Sequence, residues 1–379
     1  MSPLHIPALP GRGFTGFVLS LLAALACCSP SGLSAEEPGT WDPAATAQLQ
    51  VEFPAPPVTA VPANPAAPAP ESAPSPGPAL APAPESAPAP AQVDCGYWIV
   101  STEFSPQSFD DSLPRFCATV RRYDHCHGLR AASLDELLGS LTPQIPVCIM
   151  VHGSFMDSGS VVPESLRTWQ WLRHGARGRP FQLIYFRWPS WRLPSALINV
   201  DVVILGRRAS RNGFYLAELL RQLPRDSSVS LLGHSHGTRV ISSAAHLLAG
   251  GTVEGFGLAD RTGGCQQLRA VFAASAIDHD WLNPGERFDR ALCSLQCLLN
   301  LQNRHDPALL LYPGHRVGAR RALGQVGLTE KDRKALGMRN CQVRDLDVTE
   351  AIGCRHLWPF WTAEPSLACR ASAYLFRPE

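Results

Sequence analysis

The sequence predicts an α/β fold, with a mostly parallel central sheet and helices on both faces, and three observations predict it. From residue 95 onward short apolar runs alternate with amphipathic stretches, the pattern of strands joined by crossover helices. Most of those runs are continuously apolar, as strands covered on both faces must be. One of them, Ser228-Val229-Ser230-Leu231-Leu232, leads into Gly233-His234-Ser235-His236-Gly237 and then a helical stripe, a strand–turn–helix context that suits a serine nucleophile.

Taken in order, the expected strands are 97–101, 147–151, 182–186, 229–232, 269–274, 297–301 and 342–348. Between them Phe214, Leu216, Leu219, Leu220 and Leu223 mark one helical stripe, and Val240, Ile241, Ala244, Leu247 and Leu248 another, at the spacing that puts apolar side chains on a single helix face.

The N-terminal quarter has a different character. Residues 1–35 read as an export signal: Arg12 precedes an apolar run over 14–28, which at about fifteen residues is shorter than the roughly 20 needed to span a bilayer. Ala24 and Ala26 stand at cleavage spacing ahead of Cys27, which leaves open a lipid on that cysteine and membrane attachment through the N-terminus. Residues 36–94 read as a disordered Pro/Ala-rich linker, since such a composition cannot build a core. Most of the excess among the chain's 35 prolines falls there, and Ala-Pro-Ala-Pro-Glu-Ser-Ala-Pro occurs at both Ala67 and Ala81. Extended at about 3.1 Å per residue, some fifty residues would reach roughly 150 Å. Residues 95–379 remain as one folded domain.

Charge and cysteines narrow the function classes. A formal net charge of +1 without any dense Lys/Arg block gives no electrostatic footprint for nucleic acid or an anionic membrane surface. Twelve cysteines fit an exported protein in an oxidising compartment. Cys148 and Cys297 sit in strand-like runs as buried thiols, whereas the other eight beyond Cys28 are available for pairing.

A serine at a sharp turn needs small neighbours, and Gly233 and Gly237 meet that need. Its hydroxyl then stands over a helix N-terminus, whose free N–H groups suit an oxyanion. A base and an orienting carboxylate must follow in the order Ser, Asp or Glu, His. Asp306, just past the 297–301 run, is the expected acid, with Asp278 one strand earlier as the alternative. His356, after the last strand, is the expected base. The oxyanion donors expected are the N–H groups of His236 and of Ser154, in the loop His152-Gly153-Ser154-Phe155, with Phe155 the nearest alternative. The Asp124-His125-Cys126-His127 cluster lacks a partner pair at zinc-site spacing and reads as a surface loop. No metal or cofactor is implied.

These segments resemble a known group. Val151-His152-Gly153, Tyr185-Phe186-Arg187-Trp188-Pro189-Ser190, Gly233-His234-Ser235-His236-Gly237, Asp306-Pro307-Ala308-Leu309 and a late His356 resemble the bacterial esterase/lipase-like α/β-hydrolases called DUF900. The resemblance covers roughly residues 147–358, and the Phe-x-Trp-Pro-Ser segment is its most specific part. It implies an α/β-hydrolase fold and a triad of Ser235, Asp306 and His356, and it matches Asp201 to a family aspartate. Two departures are visible. Ser154-Phe155 stands where the family has an aromatic residue and then Asn, which leaves the oxyanion residue open, and His236 replaces a Met.

The expectation is therefore an exported serine esterase acting on a small-molecule ester or acyl substrate. Trp188, Trp191, Leu193 and Trp358 are candidates for an apolar rim around its site. A stalked binding protein that kept only the fold, and a peptidase or acyltransferase on the same scaffold, are the alternatives.

Overall fold

The computed structural model of the protein describes residues 96–108, 115–191, 198–259 and 268–376. The segments read as export signal and linker, together with Cys27, Leu193 and Cys265, lie outside these residues. Among the described residues nine strands form one sheet in the order β3-β2-β1-β5-β4-β6-β7-β8-β9. They are β1 (Gly96–Ser101), β2 (Thr119–Asp124), β3 (Gly128–Ala132), β4 (Val147–Val151), β5 (Gln182–Arg187), β6 (Val229–His234), β7 (Leu268–Ala273), β8 (Leu295–Gln302) and β9 (Val343–Asp347). The longer helices are α1 (Leu134–Ser140), α2 (Val161–Ala176), α3 (Ile198–Gln222), α4 (His236–Leu248), α5 (Glu330–Leu336) and α6 (Pro365–Leu375).

Only β2 runs against the rest: it pairs antiparallel with β1 and β3, and every other neighbouring pair is parallel. The expected α/β class is the one observed. Alternate residues of each central strand enter opposite layers, because side chains along a strand point to opposite faces. Val147, Ile149 and Val151 pack with Leu205, Leu216, Val240 and Ile241 of α3 and α4. Cys148 and Met150 pack with Trp169 and Leu172 of α2 and with Leu367 and Ala371 of α6. Both apolar stripes seen in the sequence therefore cover one face, while α2 and α6 cover the other.

All seven expected strands are present, with ends moved by at most two residues and 147–151 unmoved. The missed elements are β2 and β3, the hairpin at one edge. Val120 is the only buried side chain of Thr-Val-Arg-Arg-Tyr-Asp, so no apolar run announces the strand. Its turn carries Asp124, whose Oδ1 accepts from the N–H groups of Cys126 (2.8 Å) and His127 (3.2 Å), and residues 125–127 are exposed, as a surface turn should be.

The cysteines depart from expectation. The eight described ones, Cys117, Cys126, Cys148, Cys293, Cys297, Cys341, Cys354 and Cys369, are all unpaired. Cys148 is fully buried in β4, but Cys297 is only partly covered. Even spacing along the chain says nothing about Cα separation across the fold, which decides whether two thiols can meet.

The chain order reverses at β4, which lies between β5 and β6. In open parallel sheets ligands bind outside the carboxyl ends of the strands at such a switch point. Here that places the loop after β4 beside the turn after β6.

Candidate active site

Ser235 stands at the junction of β6 and α4 with φ 52° and ψ −125°, a conformation that costs a non-glycine residue of order 1–3 kcal/mol. The surroundings enforce it. The Ser235 N–H donates to the Ala273 carbonyl (3.0 Å), and its own carbonyl accepts from the Thr238 N–H (3.1 Å) and the Thr238 hydroxyl (2.6 Å). The flanking glycines are required for space. A Cβ on Gly237 would lie 2.1 Å from the Val151 carbonyl oxygen and 2.7 Å from that of His152, and one on Gly233 would meet Ile241 Cδ1 at 2.8 Å. Because the obstacles at Gly237 are backbone atoms, Gly237→Ala is expected to cost at least about 1–3 kcal/mol, read as a lowered urea midpoint at unchanged slope.

Three loops at one end of the sheet bring the expected residues together. Asp306 follows β8 and caps the one-turn helix Pro307–Leu310, its Oδ1 accepting from the N–H groups of Ala308 (3.0 Å) and Leu309 (3.1 Å). Its Oδ2 lies 2.8 Å from His356 Nδ1, and His356 Nε2 lies 3.0 Å from the Ser235 hydroxyl. His356 follows β9 in an irregular loop, and its carbonyl accepts from His234 Nε2 (2.8 Å) and Trp361 Nε1 (3.2 Å). Asn303 ties the acid loop to the base loop by donating to the carbonyls of Gly353 (2.8 Å) and Arg355 (3.3 Å).

His356 titrates above the ordinary histidine value. Burial alone would lower it, but the charge of Asp306 and the hydrogen bond to it outweigh burial. Since a general base must be unprotonated, the acid limb of kcat/KM is expected above the usual 6.5. A pH–rate profile checks this. The sign for stability runs the other way: the pair contributes fully below the unfolded histidine pKa, and its contribution is lost as pH rises through the folded value.

The neighbouring histidines are held neutral. His234 is pushed down to about 3 by burial, with the charge of His356 adding to it, so Nε2–H is free to donate to the His356 carbonyl. It positions the base without touching the serine hydroxyl. The alternative acid, Asp278, faces elsewhere: it is 2% exposed, accepts from the Tyr312 hydroxyl (2.8 Å) and the Arg320 N–H (2.9 Å), and pairs with Arg316. Asp201 is buried in the first turn of α3; it is not a member of the Ser235–His356–Asp306 chain.

Loop 152–156 is built by the Phe-x-Trp-Pro-Ser segment. His152 is buried, stacks between Tyr185 and Trp188, and is lowered to about 3 by burial. Its Nδ1 donates to the Gly153 carbonyl (2.7 Å), and its Nε2 accepts from the Trp188 N–H (3.1 Å). Trp188 Nε1 donates to the His152 carbonyl (2.8 Å). Ser190 accepts the Phe155 N–H at its carbonyl (2.7 Å) and the Met156 N–H at its hydroxyl (3.2 Å). Of the two candidate donors, Phe155 is thus committed to Ser190, which favours Ser154. Gly153 lets the loop close over Ser235, since a Cβ there would lie 3.0 Å from Ser235 Cβ. The Ser154 hydroxyl meets His236 Nδ1 at 2.6 Å, so the loop is also tied to the residue that follows the nucleophile.

The expected rim needs correction. Trp188 and Trp358 are 1% and 2% exposed and belong to the core: their indole N–H groups are spent on the His152 carbonyl and the Thr168 hydroxyl. Trp191 does reach the surface. The exposed apolar side chains beside the site are instead Phe155, Leu310, Leu357 and Phe360, each within four residues of a candidate site residue. Their nearness in sequence to Ser154, Asp306 and His356 is the signal that could have found them.

No protein-family model matches the chain, and no curated protein is similar to it. Among solved structures, the lin2722 gene product of Listeria innocua is similar over 62% of this chain and 95% of its own, at 12% identity and a TM-score of 0.35.

Proposed function

We propose that the protein is a serine hydrolase that cleaves carboxylic esters through an acyl-serine intermediate. The observation that carries this reading is the unbroken chain Ser235 Oγ–His356 Nε2 (3.0 Å) and His356 Nδ1–Asp306 Oδ2 (2.8 Å) behind a strained, glycine-flanked serine. The motif resemblance to the DUF900 hydrolases, carried by the same residues, points the same way, although no family model matches the chain.

His356 Nε2 takes the hydroxyl proton as Ser235 Oγ attacks the ester carbonyl, and the developing oxyanion accepts from the N–H groups of His236 and Ser154. The tetrahedral intermediate collapses, His356 gives the proton to the leaving alkoxide, and the alcohol departs. Water, deprotonated by the same nitrogen, attacks the acyl-serine and releases the acid and Ser235. Asp306 fixes the tautomer that leaves Nε2 unprotonated and stabilises the imidazolium while it lasts.

A fluorophosphonate probe tests the reading, since it labels an activated serine without needing the natural substrate. Labelling of the wild type, coupled with turnover of p-nitrophenyl esters, is expected. A protein that resists the probe and turns over no ester would instead be a binding module on this fold, and turnover of anilides or transfer to added alcohols would move the reading to a peptidase or acyltransferase. The reading also takes the chain as exported, which mass spectrometry of the mature N-terminus checks.

A further inference from the structure

Beside the nucleophile lies a cavity of ≈ 190 Å³ whose lining includes His236, Arg207, Arg239, Arg287 and Arg316. At about 30 Å³ per liquid water it has room for several waters, or for one oxyanion-bearing group. We propose that this cavity binds an anionic carboxylate or phosphate group carried by the substrate, and so makes anionic esters the preferred substrates. This rests on the hydrolase reading for its catalytic part, but the binding part stands on the cavity itself.

The charges that meet here are only partly neutralised. Arg239, Arg287 and Arg316 all pack on one ring, with guanidinium carbons 4.7, 4.8 and 4.9 Å from the Trp281 centroid. Trp281 offers cation–π attraction to each, yet three like charges around one indole repel one another. Arg316 has Asp278 as its partner. Glu254, the one carboxylate in the lining, is paired with Arg211 (2.7 Å). Arg239 is 6% exposed, and among the described residues its only hydrogen bond is from Nε to the Ser210 hydroxyl (2.9 Å), which leaves its terminal nitrogens without an acceptor there. Among the described residues Arg287 makes no hydrogen bond or ion pair; its guanidinium lies against the rings of Trp281 and Phe288. A guanidinium with free N–H groups facing a cavity favours an anion, and a bidentate carboxylate or phosphate is the partner its fork matches.

Titration agrees with this geometry. Arg239 is drawn down to about 9 by burial, with Arg287 next in effect; it remains charged at neutral pH, and an anion beside it would offset the repulsion from Arg287. His236 is held far below its ordinary value, first by burial and then by Arg239. In the tautomer where Ser154 donates to Nδ1, its other ring nitrogen carries a proton. The ring then adds a neutral donor to the lining.

Position makes the cavity a specificity site. Its wall includes the side chain of the residue whose N–H is assigned to the oxyanion, and Arg239 follows three residues later on the same helix. Ser235 and His356 do not themselves line the cavity, so a substrate that spans both would pass its charged end beyond His236 toward Arg239 and Arg287.

The test compares mono-p-nitrophenyl glutarate, anionic at its acyl end, with neutral p-nitrophenyl pentanoate. In parallel, inorganic phosphate is titrated into the Ser235→Ala protein by calorimetry. The expected result is a higher kcat/KM for the glutarate ester, and a fall in the glutarate-to-pentanoate ratio by on the order of 10- to 100-fold in Arg239→Gln. Arg287→Gln and Arg287→Glu, at an exposed position where folding is not at risk, should lower the ratio in that order. Phosphate bound and then lost in Arg287→Glu, without a glutarate preference, also supports the site and puts the anion on the alcohol side. Phosphate binding by a protein that resists fluorophosphonate would keep the cavity and remove the hydrolase. Normal labelling with neither a glutarate preference nor phosphate binding overturns the proposal while leaving the hydrolase reading intact.

Discussion

Replacing Ser235 with alanine is expected to lower kcat for ester hydrolysis by on the order of 10⁶-fold and to abolish fluorophosphonate labelling. The size follows from how the three groups are coupled. His356 Nε2 has the Ser235 hydroxyl as its partner at 3.0 Å, so without that oxygen the base has no nucleophile to activate and Asp306 orients an idle ring. The oxyanion donors on the His236 and Ser154 backbones remain, and such donors with binding alone still supply about 10³–10⁴ over water. His356→Ala should fall as far, and the double variant no further, because members of one relay are not additive. Rates under saturating ester, measured on all three, check this; a Ser235→Ala protein with wild-type turnover would end the catalytic reading.

Asp306→Asn is expected to lower kcat by about 10⁴-fold while leaving the fold in place. The two carboxylate oxygens do different work. Oδ1 caps Pro307–Leu310 through the Ala308 and Leu309 N–H groups, a role that asparagine fills about as well. Oδ2 accepts from His356 Nδ1. With the amide nitrogen turned toward the ring, His356 is driven to the tautomer with the proton on Nε2, which cannot receive the serine proton. Residual activity should also carry a shifted profile. Once the charge that raises His356 is gone, burial dominates, so the acid limb moves to lower pH. Loss of kcat with an unmoved limb and a lowered unfolding midpoint would indicate a capping role alone.

How much of this was legible in the sequence depends on the range over which each feature is encoded. Strands β4 to β8 could be read because burial on both faces forces continuous apolar runs such as Val147–Val151. The β2–β3 hairpin could not, because an edge that buries little more than Val120 has no such run. Ser235, Asp306 and His356 were found because each must follow a strand end, a constraint that is local even though their meeting is not. The choice between Ser154 and Phe155 required the Ser190 carbonyl, thirty-five residues downstream of Phe155. The rim tryptophans were misplaced for a related reason: a Trp in a connecting segment looks exposed until Thr168 or the His152 carbonyl takes its N–H. The arginine cavity left no trace at all, since Arg207, Arg239, Arg287 and Arg316 have no shared spacing and meet only in the folded chain, the last three around Trp281.

The direction of β1 has a practical corollary. It runs parallel to β5 from Gly96, so the polypeptide enters the sheet at the end remote from the mouth formed by the turns after β4, β6, β8 and β9. A reporter domain or a solid support joined directly at Gly96, with the upstream segment removed, would attach at that far end and leave the opening turned outward.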